Sequence, residues 1–356
     1  MEHKFCIYPL VNYNFTVPFI TPCCASMMNS QVVGDTAVLY SAFTDEVWLS
    51  YGWSGWRKMI AMEDYTNCDK CSQKNEWVTE SELRDKYPEI ADDVMAFKAG
   101  DETKLTMPPI LILSYDQSCN LRCVTCRPSD KALAAYDVET VTDRVMRALP
   151  YARRVVVAGD GEIAVSKNYR KILDAIKAPT KVTLMSNGTR MNMDFWASLS
   201  DEVISCIDRV HISCDGTTKE IYESVRLNGS FEKWVENMML LAILKKQYGW
   251  KTKLMYTVGK KNFSDFRNVP KFARELEFDE IFVNHAAEWH RPLSDGSDWK
   301  TDQCLERYET RLVSVVSRQM MKDYVVESSN LGSASTVQYL KRTGSLVVSG
   351  SLITRR

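Results

Sequence analysis

From Ile110 onward, short apolar runs alternate with longer amphipathic stretches, and this alternation limits the fold more than any other feature of the chain. Strand-length runs occupy 110–114, 154–158, 181–185, 209–213, 253–258 and 280–283, and helical stretches include 169–177, 219–225, 231–246 and 263–276. Strands joined by helical crossovers predict an α/β fold with a parallel, curved sheet and right-handed connections. A partial barrel and an open doubly wound sheet both satisfy the pattern, and both gather chemistry at the carboxyl ends of the strands. The predicted layout is a small cysteine-rich, β-containing module at 1–78, a helical connector at 79–107, the α/β body at 108–290, and a C-terminal extension at 291–356. Within the extension, 307–324 reads as a helix and 328–335 as a polar, small-residue stretch.

The formal net charge of −1 gives no general attraction to nucleic acid or to an anionic membrane surface. No run of eighteen apolar residues suggests a membrane span, and the first residues lack an apolar signal core, so a cytoplasmic location is expected. Disulfides rarely persist there, so clustered cysteines read first as metal or cluster ligands. Eight of the eleven cysteines fall in two groups, at Cys6, Cys23, Cys24, Cys68 and Cys71 and at Cys119, Cys123 and Cys126. Cys206, Cys214 and Cys304 stand apart and read as packed thiols.

The second group, Cys119-Asn-Leu-Arg-Cys123-Val-Thr-Cys126, directly follows the first strand of the α/β body. Three thiolates on one loop can converge on an iron–sulfur cluster. A four-iron cubane normally takes four thiolates, so three leave one iron open, as a catalytic metal site requires. A zinc knuckle completed from elsewhere is the alternative.

This loop, at this place in the βα order, resembles the signature of the radical S-adenosylmethionine (SAM) superfamily. The resemblance covers about 108–290 and implies a partial (β/α)6 TIM-like barrel, a [4Fe-4S] cluster on Cys119, Cys123 and Cys126, and SAM chelating the open iron. Thr125 stands where members often carry an aromatic residue. Gly161-Glu162 is similar to the family's glycine-glycine-glutamate element and is expected to hold the amino group of SAM, with Asp160 and Ile163 departing from the pattern. Asn187-Gly188 looks like the turn common after the third strand, although Asn-Gly forms turns by itself. Ser213-Cys-Asp215-Gly216, with Tyr222, Arg226 and Gly229-Ser230-Phe231, resembles a further family pattern. By that resemblance Ser213 bonds the ribose of SAM and Arg226 its carboxylate. The plainer readings are an N-cap for Asp215 and a solvated helix-end charge for Arg226.

The N-terminal group can supply four thiolates from Cys6, Cys23 or Cys24, Cys68 and Cys71, enough to saturate an auxiliary iron–sulfur cluster or a zinc ion. It resembles the auxiliary-cluster modules called twitch or SPASM domains. His285, followed by Glu288, Trp289 and His290, is placed to line a substrate cavity, while His211 reads as structural. The expected activity is reductive SAM cleavage and hydrogen abstraction from a substrate, a peptide or protein or else a small molecule, with flavodoxin or ferredoxin as electron donor. The competing function is a non-catalytic metal or iron–sulfur protein for binding or electron transfer.

Overall fold

The computed structural model describes residues 3–16, 19–21, 38–39, 57–58, 60–65, 77–126, 138–157, 161–286 and 304–328. A short helix α1 (Tyr8–Val11) leads into β1 (Asn12–Thr16), β2 (Phe19–Thr21) and β3 (Val38–Leu39). Helices α2 (Glu80–Lys86) and α3 (Ala91–Lys98) precede β4 (Ile110–Ser114) and β5 (Arg122–Cys123). Next come α4 (Val138–Ala148), β6 (Arg154–Val157), α5 (Lys167–Ala175) and β7 (Lys181–Ser186). They are followed by α6 (Met193–Ser198), α7 (Asp201–Cys206), β8 (Ile207–Ser213), α8 (Lys219–Val225) and β9 (Arg226–Leu227). The order closes with α9 (Phe231–Tyr248), β10 (Lys251–Val258), α10 (Val269–Glu275), β11 (Glu280–His285) and α11 (Arg307–Ser328).

The α/β class expected from the alternation is the one observed. All six expected strands form, as β4, β6, β7, β8, β10 and β11, with ends within two residues of those read from the apolar runs. Side chains that accept from backbone N–H groups start most of the helices between them: Ser166, Asn192, Ser200, Thr218 and Ser230 each cap one. Gly249, at φ +73°, ends α9 in the left-handed conformation that glycine adopts without strain.

Two expectations change. The connector is two helices rather than one, because Tyr87 precedes Pro88, and a residue before proline is pushed out of helical geometry. The helix expected over 263–276 begins only at Val269, with Pro270 in its first turn; 3-10 turns at Lys260–Asn262 and Phe266–Asn268 precede it.

The chain divides into two compact units, residues 1–120 with 128–211, and residues 121–127 with 212–356. In the first, the strand order is β8-β7-β6-β4-β1-β2-β3. β4, β6 and β7 pair in parallel, and β1 lies parallel to β4 along its whole length, so the N-terminal strands extend the same sheet. β2 and β3 continue it antiparallel. Phe5, Ile7, Leu10 and Val11 pack with Val78, Leu83, Val94 and Ile110 in one apolar core.

The entry ends of these strands are tied by Arg154, which is 2% exposed. Its guanidinium forms two 2.8 Å bonds to the Asp208 carboxylate, one of 2.7 Å to Glu89 and one of 3.1 Å to Thr183. Burial works against its charge, but Asp208 and Glu89 more than offset this and hold the group firmly protonated. Tyr87 lies under both Arg154 and Arg209, its ring centroid 5.8 and 5.5 Å from their guanidinium carbons. In the second unit, β10 and β11 pair in parallel, and α11 packs on β11 with the Tyr324 hydroxyl donating to the Phe278 carbonyl at 2.7 Å. Among the described residues no helix is long and apolar enough to cross a membrane.

Candidate active site

The loop after β4 leaves the sheet through a dense set of hydrogen bonds in the first unit. The N–H groups of Tyr115 and Asp116 both donate to the Tyr169 hydroxyl at 3.0 Å. The Asp116 carboxylate accepts from the Ser118 N–H and hydroxyl, from Asn168 at 2.9 Å, and from the Ser166 hydroxyl. Burial alone would raise the Asp116 pKa, but the donors from Ser166, Ser118 and Asn168 outweigh it and hold the carboxyl below its usual value. Asp116 therefore sets the direction of the chain three residues before Cys119.

A depressed folded-state pKa contributes stability that is present above the unfolded value, about 3.9 for aspartate, and is lost as pH falls through the folded value. Asp116→Asn is expected to lower stability near neutral pH by about 1–3 kcal/mol. It is also expected to flatten the loss that the wild type shows on acidification below about pH 4. Denaturant unfolding across that pH range measures both effects. Equal acid sensitivity in the two proteins would count against this role.

Gly161 and Glu162 sit where β6 hands over to the next turn. A Cβ at Gly161 would lie 2.0 Å from the Asp116 carbonyl oxygen, so only glycine allows this approach. The Glu162 N–H donates to the Ser118 carbonyl at 2.8 Å. The Glu162 side chain is fully buried and accepts from Ser186 at 2.7 Å, from the Ala164 N–H at 3.1 Å and from the Asn187 N–H at 2.6 Å. It thus joins the turn after β6 to the end of β7. Asn187 extends the chain of contacts: its amide donates to Cys119 Sγ at 3.7 Å and to Asn120 at 3.2 Å. Thr189 closes the network on Asn187 and Asn120.

In the second unit, Cys123 lies on β5, which pairs antiparallel with β9 so that Cys123 faces Arg226 and Arg122 faces Leu227. The Val124 N–H donates to the Val225 carbonyl at 2.9 Å, and the Cys126 N–H turns back to the Cys123 carbonyl at 3.2 Å. Arg226 is 7% exposed, and its Nη2 donates to Asp215 at 2.8 Å. Asp215 also accepts from the Thr257 N–H at 2.8 Å, and its carbonyl accepts from Asn262.

Both plainer readings of this pair are therefore corrected. Thr218, not Asp215, caps α8, and Arg226 is buried rather than solvated. Burial works against the Arg226 charge, yet Asp215 and then Cys123 hold it above its ordinary pKa. Burial pushes the Asp215 carboxyl up, against the pull of Arg226 and the Thr257 N–H.

Ser213 ends β8 half-buried. Cys214 is a buried thiol that donates to the Gly216 carbonyl at 3.0 Å, and burial pushes its pKa up, so it is an inert packed group. Asp265 was missed in the sequence. It accepts from the Thr217 N–H and hydroxyl and from Tyr256 at 2.8 Å, bracing the turn after Asp215. The only signal was an aspartate between two phenylalanines.

The donor set and its surroundings fit an iron–sulfur centre with a small charged ligand. Soft thiols on one loop suit iron–sulfur or zinc. Among the described residues, two buried polar atoms near Cys123, Arg226 Nε and the Tyr222 hydroxyl, have no hydrogen-bond partner, and such groups are costly unless a ligand or water satisfies them. Cys119 and Cys123 are half-buried and Cys126 is exposed. Among the described residues, no three cysteine, histidine or acidic side chains close on a single ion. A cubane, with its four irons, spaces its thiolates more widely than one ion does. Cys6 is buried in the N-terminal core, while Cys23, Cys24, Cys68, Cys71, Asp160, Glu288, Trp289 and His290 lie outside the described residues. His285 ends β11 half-buried, with its pKa lowered by that burial.

The mycofactocin maturase MftC of Mycobacterium ulcerans (strain Agy99) is 31% identical over 147 residues, 40% of this chain and 38% of that protein. The chain thus matches well under half the length of this curated relative. Among solved structures, native anSMEcpe with bound AdoMet aligns at 22% identity over 50% of this chain and 51% of that one, with a TM-score of 0.39. Streptococcus suis SuiB bound to precursor peptide SuiA aligns at 14% identity over 86% of this chain and 71% of that one, with a TM-score of 0.46. Residues 115–273 match the radical SAM superfamily, and they span the cysteine loop, the Gly161-Glu162 turn and the Asp215–Arg226 pair.

Proposed function

We propose that this chain is a radical SAM enzyme that acts on a peptide or protein. Cys119, Cys123 and Cys126 would hold a [4Fe-4S] cluster with one iron open to SAM. When bound, the cluster and SAM would supply one-electron reductive chemistry at the sulfonium, able to open a substrate C–H bond by hydrogen abstraction. The chain's own residues bind and orient. The Gly161-Glu162 turn, held against the Asp116 and Ser118 carbonyls, would seat the amino group of SAM beside Asn187. Arg226 would offer its unpartnered Nε to the SAM carboxylate while Asp215 holds the other end of the guanidinium. Ser213 would meet the ribose.

The observation that carries this reading is the three-cysteine loop inside the matched family region, followed by a buried arginine with a donor to spare. A peptide or protein substrate is in keeping with the relative named a maturase. An auxiliary cluster on Cys6, Cys23 or Cys24, Cys68 and Cys71 belongs to the same proposal, with an external flavodoxin or ferredoxin as electron source.

Anaerobic reconstitution with iron and sulfide, then dithionite and SAM, tests the activity. Formation of 5′-deoxyadenosine supports it; intact SAM beside a reduced cluster favours the non-catalytic electron-transfer function. A peptide encoded beside the gene, offered to the loaded enzyme and weighed by mass spectrometry, tests the substrate class. A mass change only in small molecules would overturn that part.

A further inference from the structure

We propose that the buried Asp215–Arg226 pair sets the reduction potential of the iron–sulfur centre at Cys123, with Arg226 raising it and Asp215 restraining that rise. The inference rests on the radical SAM reading and concerns what this pair does to the centre before any SAM arrives.

Three observations lead to it. First, the β5–β9 register sets Arg226 directly across from Cys123, and the Val124–Val225 bond locks that register. Second, Asp215 adopts φ +129°, a backbone conformation that L side chains rarely take. The surrounding bonds over-determine it: the Asp215 carboxylate is held by Arg226 and the Thr257 N–H, and its carbonyl by Asn262. Third, the pair is almost wholly withdrawn from water, with side chains 8% and 3% exposed for Arg226 and Asp215. A buried ion pair is a poor source of net stability, so a strained and dehydrated one beside a thiol ligand calls for another role.

Low dielectric supplies that role. Charges separated from water act on one another far more strongly than at the surface. The potential of an iron–sulfur cluster follows the net charge and the hydrogen bonds around it. A guanidinium facing Cys123 favours the reduced cluster, which carries one more negative charge, and so raises the potential. The Asp215 carboxylate opposes this by neutralising the guanidinium. Arg226 and Asp215 are positioning residues in this role, distinct from the groups that touch the reacting atoms.

The test is potentiometric titration of the reconstituted full-length protein without SAM, followed by the electron paramagnetic resonance (EPR) signal of the reduced cluster. Asp215→Asn is expected to raise the potential, and Arg226→Gln to lower it, each by about a tenfold change in the reduction equilibrium, ~59 mV for a one-electron couple. Arg226→Lys, which keeps the charge, should stay near wild type, and the Asp215→Asn/Arg226→Gln double variant should fall between the singles. Should Arg226→Gln fail to fold, a raised potential in Asp215→Asn beside a near-wild-type potential in Arg226→Lys supports the inference, and an unmoved Asp215→Asn overturns it. Unmoved potentials at equal iron and sulfide content, or shifts of one sign in both single variants, overturn the inference, and the radical SAM reading then still stands on SAM cleavage by the wild-type protein. A wild-type protein that takes up no iron overturns the functional reading and this inference together.

Discussion

Cys123→Ala is expected to reduce 5′-deoxyadenosine formation to the level of a protein-free control while leaving the fold unchanged. Two thiolates cannot hold a cubane that already lacks its fourth, so the cluster itself is lost along with SAM chelation. The fold survives because β5 and β9 are joined through backbone groups that alanine keeps. Iron content, SAM cleavage and far-ultraviolet circular dichroism on the same sample measure the three parts of this result. Cys214→Ala provides the contrast. Its thiol is buried and bonded to the Gly216 carbonyl, so its removal should cost only packing and leave cleavage in place. Equal loss in both variants would mean that the damage is structural and would remove Cys123 from the proposed ligand set.

The second large effect lies at the other ends of the strands. Arg154→Ala leaves the Asp208 and Glu89 carboxylates without the guanidinium that neutralises them, in a site where the arginine is 2% exposed. Removing one partner of a fully buried pair costs about 3–5 kcal/mol; the Glu89 and Asp208 side chains are 17% and 27% exposed, so the loss is expected at or below the lower end of that range. The Tyr87 ring also loses the stem and cation that cover it. Denaturant unfolding should show a lower midpoint with an unchanged slope, since the loss is of stability and not of the surface exposed. A change under about 1 kcal/mol would place the site among ordinary surface ion pairs. Arg154→Met, which keeps the packing and loses the charge, separates the two contributions.

The strands were legible because each is a short apolar run, and apolar runs report burial directly. β4 was read to the residue, as was α8 between Thr218 and Arg226. Cys119, Cys123 and Cys126 stand out in the sequence by their spacing and by their place directly after the first strand of the α/β body, because all three lie on one loop. Asp116, Arg154 and Asp265 were not. Each is a charged side chain that in sequence looks like a solvated surface group, yet each is 2% exposed. Their partners lie far along the chain: Ser166 is fifty residues from Asp116, and Asp265 meets Thr217 forty-eight residues away. No periodicity carries such pairings. The role of Glu162 shows the same limit: the sequence offered it for a ligand ammonium, and folding first engages it with Ser186 and Asn187. The late start of α10 had a visible cause in Pro270, which fits the first turn of a helix better than its middle.

The central claim is that the three-cysteine loop leaves an iron with a vacant coordination position that SAM fills. The most direct measurement is the EPR spectrum of the reduced, reconstituted protein before and after SAM is added. Chelation of that iron by the amino and carboxylate groups predicts a changed spectrum, and Cys119→Ala, Cys123→Ala or Cys126→Ala should each abolish both signal and change. An identical spectrum with and without SAM, or zinc bound at these thiols in place of iron, would contradict the account.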